Sequence, residues 1–557
     1  MNNDELLHRL EQLNRIGVGL SRERNIDRLL EDILLAAKGI TGADGGTLYR
    51  MNEAGTHLRF EIMHTNSLGL ALGGTTGKKI DLPDLPLTNA AGQPNLNLVA
   101  AYAALKEETV NIADAYCEEG FDFSGTRRFD AQTGYRSRSF LTVPMKNHED
   151  HIIGVLQLIN ATDLHSGEVV RFSRADQQMV ESLASQAAIA LTNRQLIDQL
   201  ENLFESFIGL INLAIDEKSH YTGGHCQRVP VLTMLLAEAV NATTQGALAG
   251  FRMSDKDRYE LKIAGLLHDC GKITTPVHVV DKATKLETLF DRIALIDTRY
   301  EVLKRDAEIR LLRAQLAAGQ PLDAEAEAAL ARQLAEESAQ LDAERDFLRR
   351  TNTGGEAMRE EDQHAVRDIA ARRSWRDPAG EESPLLNADE IANLTIRAGT
   401  LTAQEREIIN HHIVATIRML EQLPWPKHLR RVPEYAGGHH ERMDGKGYPK
   451  GLKREEMSVQ ARIMGIADIF EALTARDRPY KPGMKLSQAM GIMANFARNG
   501  HIDPDLFAVF VRQQVYLHYA RTHLAEAQID EVDESALLPA TACSANLRPA
   551  ANANPGR

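Results

Sequence analysis

The stretch Leu267-His268-Asp269-Cys270-Gly271-Lys272 sets an imidazole and a carboxylate side by side. Borderline divalent metals accept both ligand types, and the two oxygens of one carboxylate can bridge two ions. The apolar residues Leu261, Ile263, Ala264, Leu266 and Leu267 read as the last turns of a buried helix. Gly271 then marks the helix end and lets the backbone approach a ligand closely. A solitary His-Asp pair is most often a salt-bridged core histidine. Four further clusters weigh against that reading, because a fold must bring them all to one place for the set to have a purpose.

Of 19 histidines, several stand in contexts suited to a metal. His225 follows Tyr221-Thr222-Gly223-Gly224 and opens a helical run through Val229, Leu232, Leu235 and Leu236. His411 and His412 adjoin in a helical stretch, Glu407 to Leu420, and His439 and His440 adjoin before Glu441. Asp468 lies in an apolar helix, Ile463 to Leu473, where an unpaired carboxylate is costly to bury. No Cys-x-x-Cys suggests a structural zinc site. A two-metal hydrolytic centre accounts for the set.

In order and detail the clusters resemble the HD-GYP phosphodiesterases of the HD metallohydrolase superfamily. The match runs through His268-Asp269-x-Gly271-Lys272 and His439-His440-Glu441-Arg442-x-Asp444-Gly445-x-Gly447-Tyr448-Pro449. It continues in Ala467-Asp468-Ile469-Phe470-Glu471-Ala472-Leu473-Thr474 and Arg478-Pro479-Tyr480-Lys481. The resemblance implies an all-helical domain that hydrolyses cyclic di-GMP to the linear dinucleotide pGpG, in some members onward to GMP. It implies that His225, His268, Asp269 and Asp468 hold one ion, and Asp269, His412, His439 and His440 the other. His412 is preferred to its competitor His411 because the run from Leu401 through Ile409 fits the family's leader at that offset. Two ions about 3.5–4 Å apart clamp a phosphate for in-line displacement. Iron, manganese and related ions all suit such a mixed set.

By the same resemblance Lys272 faces the phosphate and stabilises charge developing in the transition state. Arg478 and Lys481 contact substrate phosphate or guanine, or else brace their loop through a carboxylate. Gly445, Gly447 and Pro449 shape the loop that sets Tyr448 near the site. Four positions before the first histidine a family glutamate can help hold a third ion. Tyr221 stands there, and a phenol with pKa about 10 is a poor ligand beside a carboxylate at about 4.3. The expectation is a binuclear centre. An inactive cyclic di-GMP receptor would be expected to lack ligands, and none is missing. A hydrolase of another cyclic dinucleotide or nucleotide remains the alternative.

Composition sets the surroundings. The 43% hydrophobic and 25% charged content is that of a soluble globular chain. A net charge of −14 argues against general DNA or RNA binding, so an anionic dinucleotide needs a local basic pocket. Four widely spaced cysteines make no disulfide framework and fit a reducing cytoplasm. No signal pattern opens the chain and no run of 18 apolar residues spans a membrane, so a cytoplasmic location is expected.

Residues 1–172 read as an α+β sensor domain. Helical periodicity runs through Leu6, Leu10, Leu13, Ile26, Leu29, Leu30, Ile33 and Leu34. Strands follow at Thr47–Met51 and Leu58–Ile62 about a turn at 52–55, and at Ser139–Met145 and Ile152–Asn160 about a turn at 147–150. The order resembles a GAF domain, particularly at 110–116, 133–139 and 154–160. Some GAF domains bind cyclic nucleotides with an Asn-Lys…Phe-x-x-x-Asp-Glu signature. Here the corresponding residues are Asn160-Ala161…Phe172-x-x-x-Asp176-Gln177, so the Lys and Glu are replaced. Cyclic-nucleotide binding stays open beside a structural or dimerising role, and the small ligand sensed is not specified by these residues.

Residues 173–217 read as one linker helix, apolar at Val180, Leu183, Ala187, Ala190, Ile197, Leu200, Phe204, Phe207 and Ile211. A long helix of this kind is marginal alone and suits a coiled coil in a homodimer. Residues 218–524 form the HD-GYP domain, interrupted by an insertion at 285–400. Its apolar positions predict a helical hairpin broken at Ala318-Gly319-Gln320-Pro321, then a loop over 351–387. Residues 525–557, rich in Ala, read as a disordered tail.

Overall fold

Asn52 closes the first hairpin by accepting from Thr56 N (2.8 Å) and His57 N (3.2 Å). In the computed structural model of the chain, this turn joins β1 (Ala43–Met51) to β2 (His57–Thr65) as an antiparallel pair. Asn147 does the same between β6 (Phe140–Lys146) and β7 (Ile152–Thr162). The structure describes residues 11, 14–20, 23, 25–89, 91–163, 166–219, 224–319, 323–355, 357–476 and 483–538. The chain divides into two units, 1–204 and 205–557.

In the first unit β1 pairs with β7, which joins the two hairpins into one sheet. The order is β3-β2-β1-β7-β6-β5, with β3 at Leu70–Gly73 and β5 at Val110–Ile112, while the short β4 (Leu85–Pro86) pairs with β2 and β8 (Val169–Val170) with β7. Strands alternate their side chains between faces. Leu48, Leu141, Val143, Leu156 and Leu158 therefore share one face, packed on Leu29, Ile33 and Leu34 of the Ile26–Thr41 helix. Tyr49 and Val155 face the other way, into a cluster with Ala100, Ala101 and Ala103 of the Val99–Lys106 helix. Each fully buried leucine or valine contributes roughly 1.5–3 kcal/mol. Asn160 of β7 ties down the segment that leads into β6: its Oδ1 accepts from Arg138 N (2.7 Å) and its Nδ2 donates to Arg136 O (2.8 Å).

The helix Arg174–Lys218 is continuous, but its apolar residues belong to two different surfaces. Val180, Leu183 and Ala187 are buried in the core of the first unit, which corrects their assignment to a coiled-coil seam. Further along, Leu196, Leu200, Leu203, Phe207 and Leu210 are 44–64% exposed. Their alternating spacing of four and three is the period of a left-handed coiled coil.

The second unit is built largely from capped helices. Ser254 and Asp257 form a capping box at the start of Asp255–Leu267, and Thr402 and Glu405 form one at Ala403–Glu421. Ser458 caps Val459–Thr474. Such a cap is worth about 1 kcal/mol.

The insertion holds a hairpin of Ile293–Ala317 and Ala324–Asn352, with residues 320–322 outside the described set. Its antiparallel register is marked by Asp297–Arg349 (2.8 Å), Lys304–Asp342 (2.6 Å) and Arg310–Glu337 (2.6 Å). The expected loop over 351–387 is corrected. It contains a helix, Glu360–Arg372, and a two-stranded hairpin of Ser374–Arg376 with Glu382–Pro384. Val366 and Ile369 bury their side chains with Leu286, Ile296, Tyr300, Leu341 and Leu348, so the insertion has its own core. The expected tail over 525–557 is corrected for 525–538. There Gln528 donates to Thr474 O (2.9 Å), and Glu534 at the start of Glu534–Leu537 accepts from Tyr516 Oη (2.7 Å). No helix among the described residues is long and apolar enough to cross a membrane.

Candidate metal centre

Five helix ends and faces deliver the site. His225 is the first residue of His225–Asn241, and His268 and Asp269 follow the last turn of Asp255–Leu267. His412 lies midway along Ala403–Glu421, His439 and His440 follow the short helix Val432–Gly437, and Asp468 lies in Val459–Thr474. His412 is buried while His411 is exposed, because adjacent residues on a helix point in different directions.

Asp269 is at the middle. Its Oδ2 lies 3.3 Å from both His225 Nε2 and His268 Nε2, and its Oδ1 lies 3.3 Å from His412 Nε2. Asp468 Oδ1 is 3.2 Å from His225 Nε2 and 3.9 Å from His268 Nε2. On the other side His440 Nε2 is 3.3 Å from His412 Nε2. Two donor groups, His225-His268-Asp269 and His412-His439-His440, could each hold an ion, their donor atoms lying within 4.8 Å of one another.

The ring orientations are set from behind. His268, His412 and His439 each donate Nδ1–H to the carbonyl three residues earlier: Gly265 (2.7 Å), Ile409 (2.5 Å) and Ala436 (2.6 Å). A ring committed to donate at Nδ1 presents its Nε2 lone pair to the centre. His268 Nε2, His439 Nε2 and Asp269 Oδ1 are buried without a hydrogen-bond partner among the described residues. Orphaned buried acceptors of this kind call for an ion or water, and mixed imidazole and carboxylate donors fit a divalent metal.

The electrostatics point the same way. Burial would raise Asp269, yet Lys272, His268 and His225 hold its carboxyl well below the usual range. Asp468 is likewise held low against burial, chiefly by its hydrogen bond to His225. Burial drives His439 well below its ordinary value and His440 down to about 4, which leaves both rings as neutral donors of a lone pair. Burial opposes charge on His225, but Asp269, Asp468 and Glu471 hold it well above the ordinary value. The field at that side of the centre favours a cation.

Glu471 has a function that the sequence reading assigned to no residue. It receives His225 Nδ1 and Arg228 Nε (2.7 Å), and so fixes the ring from outside the centre. The available signal was its position one turn after Asp468, with Arg228 one turn after His225. Lys272 donates to Asp269 Oδ2 at 2.6 Å. Its pKa is raised despite burial by that same carboxylate.

The 441–452 loop is braced by Glu441, which accepts from Lys450 N (2.7 Å) and Leu452 N (2.9 Å). Tyr448, next to Pro449, stacks on His440 with ring centroids 4.9 Å apart. Gly445 adopts positive φ. A Cβ at Gly447 would lie 2.5 Å from Glu441 Cα and 2.6 Å from its carbonyl carbon, so only glycine fits that crossing. Arg478, Lys481 and Tyr221 lie outside the described residues. At Gly271 the backbone closely approaches that of the His412 helix, at His412 O and Thr416 N.

Family models agree with this division. A GAF domain model matches residues 25–191, and HD domain models match 222–345 and 346–506. Among curated relatives, a 3'3'-cGAMP-specific phosphodiesterase of Vibrio cholerae is 47% identical over 15% of this chain and 20% of its own length. A cyclic di-GMP phosphodiesterase of Pseudomonas aeruginosa is 39% identical over 22% of this chain and 28% of its own. A cyclic di-GMP phosphodiesterase of Thermotoga maritima is 40% identical over 17% of this chain and 26% of its own. The chain thus spans 20–28% of the length of these relatives.

Proposed function

We propose that this chain, which carries a GAF domain followed by an HD domain, is a metal-dependent cyclic di-GMP phosphodiesterase of the HD-GYP type. It opens the cyclic dinucleotide to pGpG in the cytoplasm under control of a small ligand of the GAF domain. The observation that carries the reading is Asp269, whose two oxygens face different histidine groups at 3.3 Å.

His225, His268 and Asp468 would hold one ion with Asp269 Oδ2, and His412, His439 and His440 the other with Oδ1. When bound, two such ions supply Lewis-acid polarisation of the phosphoryl oxygens and a template for in-line displacement. The carbonyls behind His268, His412 and His439 keep the rings in the tautomer that can coordinate. Glu471 does so for His225. Lys272 reaches from Asp269 toward the substrate phosphate and offsets its growing negative charge. Arg478 and Lys481 bind the phosphate or guanine, and Tyr448 fixes the plane of His440.

A panel of cyclic dinucleotides, with products identified by mass, tests the substrate. Cyclic di-GMP converted to pGpG supports the proposal. Preference for 3'3'-cGAMP would favour the second reading, for which the Vibrio cholerae relative speaks. Binding of cyclic di-GMP without turnover would make the protein a receptor.

Metal content follows from the donor set. Elemental analysis of active protein is expected to give two ions per chain, of iron, manganese or a similar metal. Three at full occupancy, with the third near Tyr221, would overturn the binuclear reading.

The protein is a parallel homodimer through the exposed seam Leu196, Leu200, Leu203, Phe207 and Leu210. Replacing Leu200 and Phe207 by Glu is expected to halve the mass seen by light scattering at micromolar concentration. A wild-type monomer under the same conditions would refute the dimer.

A further inference from the structure

We propose that the insertion carries a second ligand site, for a phosphorylated small molecule of mononucleotide size, in which Lys285, Arg350 and Arg397 bind the phosphate. The three residues line a cavity of about 340 Å³ together with Phe347, Met358 and Arg359. That volume is within the range of pockets that hold small organic ligands, roughly 300–1,000 Å³.

Charge distinguishes this cavity. Several cations of the insertion are matched to carboxylates: Arg299 to Glu390 (2.7 Å), Arg349 to Asp297 (2.8 Å) and Arg373 to Glu344 (2.9 Å). Three cations around this cavity, Lys285, Arg350 and Arg397, have no carboxylate partner among the described residues. Lys285 is 2% exposed, yet its Nζ donates only to Leu394 O (3.1 Å) and Met358 Sδ (3.3 Å) among the described residues. Neither Arg350 nor Arg397 makes an ion pair among them. Among the described residues the one carboxylate lining the cavity, Asp362, is taken by Arg359 at 3.0 and 3.1 Å. A buried ammonium without an anion is expensive, and burial lowers the Lys285 pKa with no acidic neighbour to restore it. The protein as a whole carries a net charge of −14, so this concentration of positive charge is local.

Guanidinium pairs bind phosphate oxygens through planar, charge-assisted hydrogen bonds. Phe347 and Met358 add apolar surface suited to a ring rather than to a bare inorganic ion. None of these residues belongs to the metal centre, so the site stands or falls independently of the activity proposed above.

Isothermal titration of the full-length protein with GMP, inorganic phosphate and guanosine tests the proposal. GMP is expected to bind, phosphate to bind more weakly and guanosine not to bind. Each of Arg350→Ala and Arg397→Ala should weaken GMP binding about tenfold or more while phosphodiesterase turnover is unchanged. Both arginines are exposed, so the variants keep the fold, whereas Lys285→Met alone would leave folding in question. Undiminished GMP binding in the double arginine variant would overturn the site. So would equal binding of guanosine, or no binding at millimolar GMP. Glu356 lies outside the described residues. Binding seen only in Glu356→Gln would show that the chain supplies its own anion and would also overturn the proposal.

Discussion

Asp269→Ala is expected to abolish hydrolysis, by more than about a thousandfold, well beyond the roughly 10–100-fold that loss of an outer-shell partner costs. The reason is that one side chain serves both histidine groups. Its Oδ2 faces His225 and His268, and its Oδ1 faces His412. Losing it should therefore lower metal content for both ions together, not for one. His268→Ala is expected to abolish activity as well, but to leave the His412, His439 and His440 group intact. The domain should stay folded, because the Lys272 ammonium released by Asp269→Ala keeps Asp468 as a neighbouring anion. Circular dichroism, elemental analysis and turnover on the same samples separate the possibilities. An Asp269→Ala protein with full metal content and substantial activity would remove the bridging role.

The residues of this centre were legible because coordination chemistry uses few residue types, and here they occur in short clusters. The choice between His411 and His412 rested on family offset; helical geometry separates them by burial, at the cost of knowing which face is inward. Glu471 was less legible. Its place in the centre comes from packing of Val459–Thr474 against His225–Asn241, far apart in sequence, and the one local signal, its position a turn after Asp468, does not name His225 as its partner. The 351–387 segment failed for a related reason. Val366 and Ile369 are a narrow apolar stripe in a polar helix, too little to signal burial until Leu341 and Leu348 are known to cover it. In the linker, periodicity alone could not tell the core positions Val180, Leu183 and Ala187 from the exposed seam after Leu196. Both surfaces demand the same residue types, and only the sheet's position distinguishes them.

Gly271→Ala is expected to damage stability and activity at once, though Gly271 donates only its backbone. Its N–H bonds Thr416 Oγ1 at 2.9 Å, which pins the turn after Asp269 to the helix that carries His412. An added Cβ would overlap the His412 carbonyl oxygen and sit 2.6 Å from Thr416 N and Oγ1. Two of these atoms are helix backbone and cannot rotate away, so the helix must move. Overpacking of this kind costs about 1–3 kcal/mol or more, or roughly 2–4 °C of Tm per kcal/mol in a domain of this size. The same movement separates His412 Nε2 from Asp269 Oδ1, and a misplacement of about 1 Å can cost about a hundredfold in rate. Gly491→Ala serves as the control, since a Cβ there meets nothing within 4 Å. It should leave Tm and turnover unchanged or raise Tm slightly, as alanine favours helix over glycine. A Gly271→Ala protein with the Tm, metal content and turnover of the parent would show that the turn does not hold the two halves of the centre in register.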